Sequence, residues 1–337
     1  MTLQDSALTA VLDSPPPPEL LAMNFAFSRA RVLGTALEVD LFTSLAERPC
    51  DAATLATRLS CDADAMGRLL AVLVDAGLLE RGPGGVLAPT RLAGTHLVAG
   101  RPGFLGPHFE DVLDQWDRWG ELTRIVRTGK RTGPLGDLAA RDRHAGMFGG
   151  NFPLAIGMVH RITEALRVPS GARILDHLAG GGEWGISLGT RYPDATVVAR
   201  DTPDLLAGVR RRVAEFGLAD RFTFVTVGDE PPYPDGYDVV VLAQVGRFVG
   251  AGRLSGLVRE AAARLRPHGT FVLADVMAPV PGAGGGPAAM LDLSLFVNTE
   301  EGGLIPRLQY EGLLADVGLR LSGTATAGLL TALISER

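Results

Sequence analysis

The stretch from Arg173 to Asp201 constrains the fold more than any other part of the chain. An apolar run, Arg173-Ile174-Leu175-Asp176-His177-Leu178, leads into Ala179-Gly180-Gly181-Gly182-Glu183-Trp184-Gly185. A helical run follows to Tyr192-Pro193-Asp194, and then Thr196-Val197-Val198-Ala199-Arg200-Asp201. A strand, a glycine-rich turn, a helix and a second strand ending on an acid form a β-α-β unit. Glycine lets the backbone approach a ligand closely, and the helix N-terminus presents free N–H groups. Asp201, about 20 residues beyond the turn, is placed to accept hydrogen bonds from a ribose diol.

The alternation continues to the end of the chain. Strands are predicted at Arg173–Leu178, Thr196–Asp201, Phe222–Val227, Asp238–Ala243 and Thr270–Val276, with helices between them. Leu329–Ser335 is expected to close the sheet. Strands alternating with helices predict an α/β class fold, a doubly wound parallel sheet covered on both faces. Pro279–Pro287 is a glycine/proline loop; Met290–Val297 and Gln309–Val317 carry the last two helical patterns.

The 337 residues suffice for more than this sheet. Four parts are expected: a flexible N-terminus at 1–18, a winged helix at 19–100, a helical pocket segment at 101–168 and the α/β domain at 169–337. Glu19–Leu45 has helical apolar spacing; Asp51 and Asp62 open two shorter helices; Leu78–Arg81 and Gly85–Ala88 bracket Gly82-Pro83-Gly84 as a hairpin. Helix, turn, helix, hairpin is a winged helix, which invites a DNA-binding reading. The second helix would then offer cations to phosphates, but it carries Asp62, Asp64 and Asp75 against Arg68. Its face of Leu69, Leu70, Val72, Leu73 and Val74 suits intradomain packing or a dimer surface. The net charge of -6 also argues against nucleic-acid and anionic-membrane partners. No apolar run reaches membrane-spanning length, no signal sequence opens the chain, and Cys50 and Cys61 match no metal site. A reduced, cytoplasmic protein without a bound metal is expected.

Residues Phe104 to Val168 concentrate aromatic and sulfur side chains: Phe109, Trp116, Trp119, Met147, Phe148, Phe152 and Met158. They also hold His108, His144 and His160. Such a segment can wall a pocket for an apolar ring system, or simply pack between helices.

Over its whole length the chain resembles the small-molecule O-methyltransferases of plant caffeate type and their bacterial natural-product relatives. The segments that carry the resemblance include Arg191-Tyr192-Pro193-Asp194, Asp201-Thr202-Pro203, Gly217-Leu218-Ala219-Asp220-Arg221-Phe222 and Gly228-Asp229. Ala263-Arg264-Leu265-Arg266-Pro267, Leu291-Asp292-Leu293, Gly302-Gly303 and Leu313-Leu314 add to them. The resemblance implies a class I methyltransferase (Rossmann-like) domain behind an N-terminal winged-helix dimerisation domain, hence a homodimer acting on a small-molecule substrate. It implies that the motif opened by Asp176 holds S-adenosylmethionine or S-adenosylhomocysteine. Gly180 and Gly182 would line the methionine end, Asp201 would hold the ribose and Asp229 would sit beside the adenine.

The sequence departs from the family pattern at three places. Leu178 stands where the first glycine of the motif belongs, so weakened cofactor binding is expected. The family's proton-accepting histidine, in a Leu-His-Asp-Trp-like stretch, is replaced within Val245-Gly246-Arg247-Phe248-Val249. An arginine stays protonated and cannot be that base. The acid that supports the histidine survives as Asp275, but a second family glutamate is lost in Gly302-Gly303-Leu304-Ile305-Pro306-Arg307. The first expectation is therefore an enzyme redirected from methyl transfer to cyclisation, dehydration, elimination or a related rearrangement of a bulky natural-product intermediate. Arg247 would polarise an oxygen, and His144 or His108 would move a proton. Arg247 and Asp275 could equally form a structural ion pair. Two alternatives stand beside it: a true O-methyltransferase of a phenolic or polyketide hydroxyl with a different base, and a non-catalytic metabolite-binding partner.

Overall fold

The computed structural model describes residues 17–131, 150–279 and 286–337. The expected loose N-terminus falls almost wholly outside the described residues, as do His144, Met147, Phe148 and most of the Pro279–Pro287 loop. Contacts divide the chain into two compact units, residues 1–113 and 114–337.

The first unit opens with α1 (Pro18–Glu38), with proline at its first turn, where a missing N–H costs nothing. The periodicity of Glu19–Leu45 predicts one helix; the chain instead turns at Asp40 (φ 53°) and restarts as α2 (Leu41–Glu47). Apolar spacing survives a one-residue left-handed break, which is why it hides the turn. Asp51 caps α3 (Ala52–Arg58) through the Thr54 N–H at 3.0 Å, and Asp62 caps α4 (Ala63–Asp75) through Ala65 at 2.9 Å. The hairpin pairs β1 (Leu79–Arg81) with β2 (Leu87–Pro89) around a short helical turn at Pro83–Gly85. Helices α5 (Arg91–His96) and α6 (Gly106–Asp114) follow. On α4, Met66, Leu70 and Leu73 are core, while Val72 is 43% exposed. On α1, Leu20, Leu21, Met23, Phe25 and Phe27 are each half or more exposed, an apolar surface.

The second unit begins with α7 (Trp116–Gly120), α8 (Leu122–Thr128) and α9 (Phe152–Thr163). Then come β3 (Arg173–His177), α10 (Glu183–Arg191), β4 (Thr196–Asp201), α11 (Pro203–Glu215), β5 (Phe222–Thr226) and β6 (Tyr237–Ala243). The unit continues with α12 (Gly246–Ala263), β7 (Leu265–Val276), α13 (Gly286–Asn298), α14 (Arg307–Asp316), β8 (Arg320–Ala327) and β9 (Leu330–Glu336). Sheet order is β5-β4-β3-β6-β7-β9-β8. Ile174, Val197 and Val239 pack on one side, with α9, α10 and α11; Leu175, Val198 and Val240 pack on the other, with α12 and α14. Each central strand is thus buried on both faces, which explains its near-continuous apolar sequence.

The sheet corrects the parallel reading at one edge. Strands β3 to β7 are parallel, but β9 runs antiparallel to β7, and β8 antiparallel to β9. Strand β8 went unseen because Ser322-Gly323-Thr324-Ala325-Thr326 is small and polar, as its alternating exposure at the sheet edge permits. Among the described residues no helix is long and apolar enough to cross a membrane.

Candidate active site

Successive strands change direction of travel across the sheet between β3 and β6, and open parallel sheets bind ligands at that switch point, beyond the strand C-termini. A cavity of about 30 Å³ lies there, lined by Asn151, Asp176, Leu178, Gly180, Glu183, Trp184, Gln244 and Arg247 among others. Two of its lining residues, Leu178 (φ 61°) and Gln244 (φ 58°), are left-handed without being glycine. Each such residue costs on the order of 1–2 kcal/mol, and such strain gathers at functional sites. Both stand where a strand ends and the chain must turn sharply over the sheet edge.

The glycine loop is closed on its own acids. Gly180 N–H donates to Asp201 Oδ2 at 2.8 Å, and Thr202 N–H donates to Asp201 Oδ1 at 2.9 Å. Asp201 is fully buried. Gly185 N–H donates to Asp176 Oδ2 at 2.8 Å, and burial holds the Asp176 carboxyl well above the usual carboxylate range, with the Glu183 and Asp201 charges adding to the rise. Gly182 (φ 86°) starts α10, and a Cβ there would meet Val209 of α11 at 2.8 Å, so glycine is required both for the turn and for helix packing. Leu178 lies inside the apolar cluster under α12, 6% exposed, rather than in open space.

Sequence reasoning misses Glu183. It is the first residue of α10, 5% exposed, and faces the cavity. Burial raises its carboxyl from 4.5 to about 7; backbone N–H groups and the Arg212 and Arg247 charges oppose the rise only partly. An acid directly after three glycines at a helix start is the signal that could have found it, since the helix N-terminus favours an anion there. What the sequence does not reveal is its burial.

Arg247 does not stand alone. Its Nη1 donates to Asp275 Oδ1 at 2.6 Å, its backbone N–H to Asp275 Oδ2 at 3.1 Å, and its Nη2 to Gln244 Oε1 at 3.2 Å. Tyr310 O–H donates to Asp275 Oδ2 at 3.0 Å and Val276 N–H to Oδ1 at 2.8 Å. Asp275 is 1% exposed and so serves as the buried anchor of Arg247 rather than as a group open to a ligand. The structural ion pair and the polarising role coincide, because the same guanidinium also lines the cavity. Gly246 makes room for the pair: a Cβ there would stand 2.6 Å from the Tyr310 hydroxyl. Ile305, where the family's second glutamate would stand, is core.

The remaining expected site residues disperse. Asp229 is exposed in the turn after β5. His108 belongs to the N-terminal unit, its ring edge-on to Phe109 at 5.5 Å. His144 lies outside the described residues. His160 Nδ1 meets Ser187 Oγ at 3.1 Å, a contact between α9 and α10. His177 is buried beside Arg200, and burial with that charge pushes it down to about 4, so it is neutral near pH 7. Among the described residues no group of His, Cys, Asp and Glu could hold a metal ion.

As arranged, these residues do not fit S-adenosylmethionine. The ribose acid is fully buried, with the Gly180 N–H of the loop on one oxygen, and the cavity is about a tenth of the roughly 300 Å³ at which small-molecule pockets begin. The space suits a water or the hydroxyl end of a ligand.

The O-methyltransferase dimerisation domain family matches residues 21–99. Along nearly the full chain the protein is similar to the tetracenomycin polyketide synthesis 8-O-methyl transferase TcmO of Streptomyces glaucescens, 24% identical over 95% of this chain and 97% of that one. It is similar to the O-methyltransferase SfmM3 of Streptomyces lavendulae, 26% identical over 89% and 94%. Human N-acetylserotonin methyltransferase, solved in complex with S-adenosylmethionine, shares the fold at a TM-score of 0.81, 20% identity, and 96% and 99% coverage.

Proposed function

We propose that this chain, which belongs to the small-molecule O-methyltransferase family, is an enzyme acting on the ionisable hydroxyl of a natural-product-type small molecule at the cavity between β3 and β6. The observation that carries the reading is the meeting of Glu183 and the anchored Arg247 at the sheet's switch point. One is a carboxyl able to hold or release a proton near neutrality; the other is a fixed cation that favours an oxyanion. The similarity to two Streptomyces O-methyltransferases supports methyl transfer as the reaction. For that reaction the fully buried Asp201 has to become accessible.

The redirected reading takes second place. Two observations favour it: the family's base position holds an arginine, and its ribose acid is buried under the loop. The two are separated by incubating the protein with methyl-labelled S-adenosylmethionine and a panel of phenolic and polyketide-type acceptors. Label in the product is expected; consumption of an acceptor without label sinks methyl transfer and favours rearrangement.

The dimerisation-domain match and the exposed apolar face of α1 support a homodimer. Light scattering at micromolar concentration is expected to give twice the 35.4 kDa chain mass. Leu21→Glu with Phe25→Glu is expected to yield monomers; a monomeric wild type removes the proposal.

A further inference from the structure

We propose that Glu183 is the proton acceptor of this site, replacing the base that the chain lacks at position 247. The inference rests on the hydroxyl-directed reading above. It starts from placement: Glu183 and Arg247 line one hydroxyl-sized cavity at the strand ends. Among the described residues the other acids nearby are committed. Asp176 and Asp201 bind loop N–H groups, and Asp275 carries Arg247 and Tyr310. Among the described histidines, His160 and His177 are held in structural contacts and line no part of the cavity.

The step is a simple proton transfer. The substrate O–H bond breaks, its proton bonds to a carboxylate oxygen of Glu183, and the electron pair stays on the substrate oxygen opposite the Arg247 guanidinium. Arg247 cannot accept the proton but stabilises the oxyanion as it forms. Its hydrogen bonds to Asp275 and Gln244 fix the fork in place, so no reorganisation is needed.

The charged groups that face Glu183 come from three elements: Asp176 at the end of β3, Arg212 on α11 and Arg247 at the start of α12. Burial favours the protonated form, and the two arginines with backbone N–H groups favour the carboxylate. The balance puts the carboxyl at about 7, where a base is both present and strong enough to work.

The test uses the full chain with ¹³C-labelled glutamate. One carboxyl resonance is expected to titrate near neutrality, to vanish in Glu183→Gln, and to move to higher pH in Arg247→Met, where the opposing charge is gone. A Glu183 resonance in the ordinary carboxylate range, or one indifferent to Arg247→Met, overturns the proposal. With an acceptor that takes label, kcat/KM should rise through an acid limb at the same midpoint. Glu183→Gln should lower kcat by about 10²–10⁴ and abolish the limb, while Glu183→Asp keeps the limb at reduced rate. A limb that survives in Glu183→Gln, or a change confined to KM for the cofactor, overturns the role and leaves the methyl-transfer reading intact. Absence of label with every acceptor would overturn methyl transfer alone, because the carboxyl titration does not depend on turnover.

Discussion

Asp275→Asn is expected to lower unfolding stability by about 3–5 kcal/mol. The carboxylate is 1% exposed and accepts four hydrogen bonds, from the Arg247 side chain and backbone, Tyr310 and Val276. An asparagine keeps one acceptor oxygen and turns two N–H donors toward groups that are themselves donors. It also strands a guanidinium whose side chain is 11% exposed, with Gln244 as its remaining hydrogen-bond acceptor. Arg247→Met is the informative contrast. It removes one charged donor yet leaves Asp275 three neutral ones, so it should cost clearly less than Asp275→Asn. Denaturant unfolding of both variants checks the ordering; equal losses would mean that the pair, and not the buried carboxylate with its full donor set, dominates.

Glu183→Gln is expected to stabilise the protein at alkaline pH while removing activity. The carboxyl rises from 4.5 unfolded to about 7 folded. A raised carboxyl favours folding fully below about pH 4.5, and that contribution is lost as pH rises through about 7. The shift corresponds to roughly 3 kcal/mol by linkage. Glutamine mimics the protonated form at every pH. The variant and wild type should therefore match near pH 4 and separate toward pH 8, the variant being more stable by up to about 3 kcal/mol. Asp176, shifted in the same direction, adds to the wild type's loss in both proteins. Unfolding free energies measured across that range decide the matter, and a variant less stable than wild type at pH 8 would contradict the burial of an ionising Glu183. A functional group that costs stability in its working form is the usual trade at an active site.

Much of this architecture is legible in the residues, and the gaps have physical causes. The apolar runs of β3, β4 and β6 announce buried parallel strands because both faces are covered. Edge strand β8 escapes the same logic, since one covered face permits Gly323 and polar neighbours. The pairing of Arg247 with Asp275 follows from strand order, because β6 and β7 are parallel neighbours whose ends meet. The engagement of Asp201 by Gly180 is not legible. The same glycines and the same acid describe an open cofactor site and a closed one, and only the loop path after a left-handed Leu178 distinguishes them. Glu183 is visible as an acid at a helix start; its burial, which gives it chemistry, is a tertiary fact.

The account turns on a glycine loop closed over its own acid, and calorimetric titration of the wild-type protein with S-adenosylmethionine tests this most directly. To reach the ribose acid, the ligand has to shift the loop that covers the fully buried Asp201. Apparent affinity falls by the fraction of molecules in which that acid is accessible. The expected result is a dissociation constant in the high-micromolar range or weaker; a low-micromolar constant would contradict the closed loop.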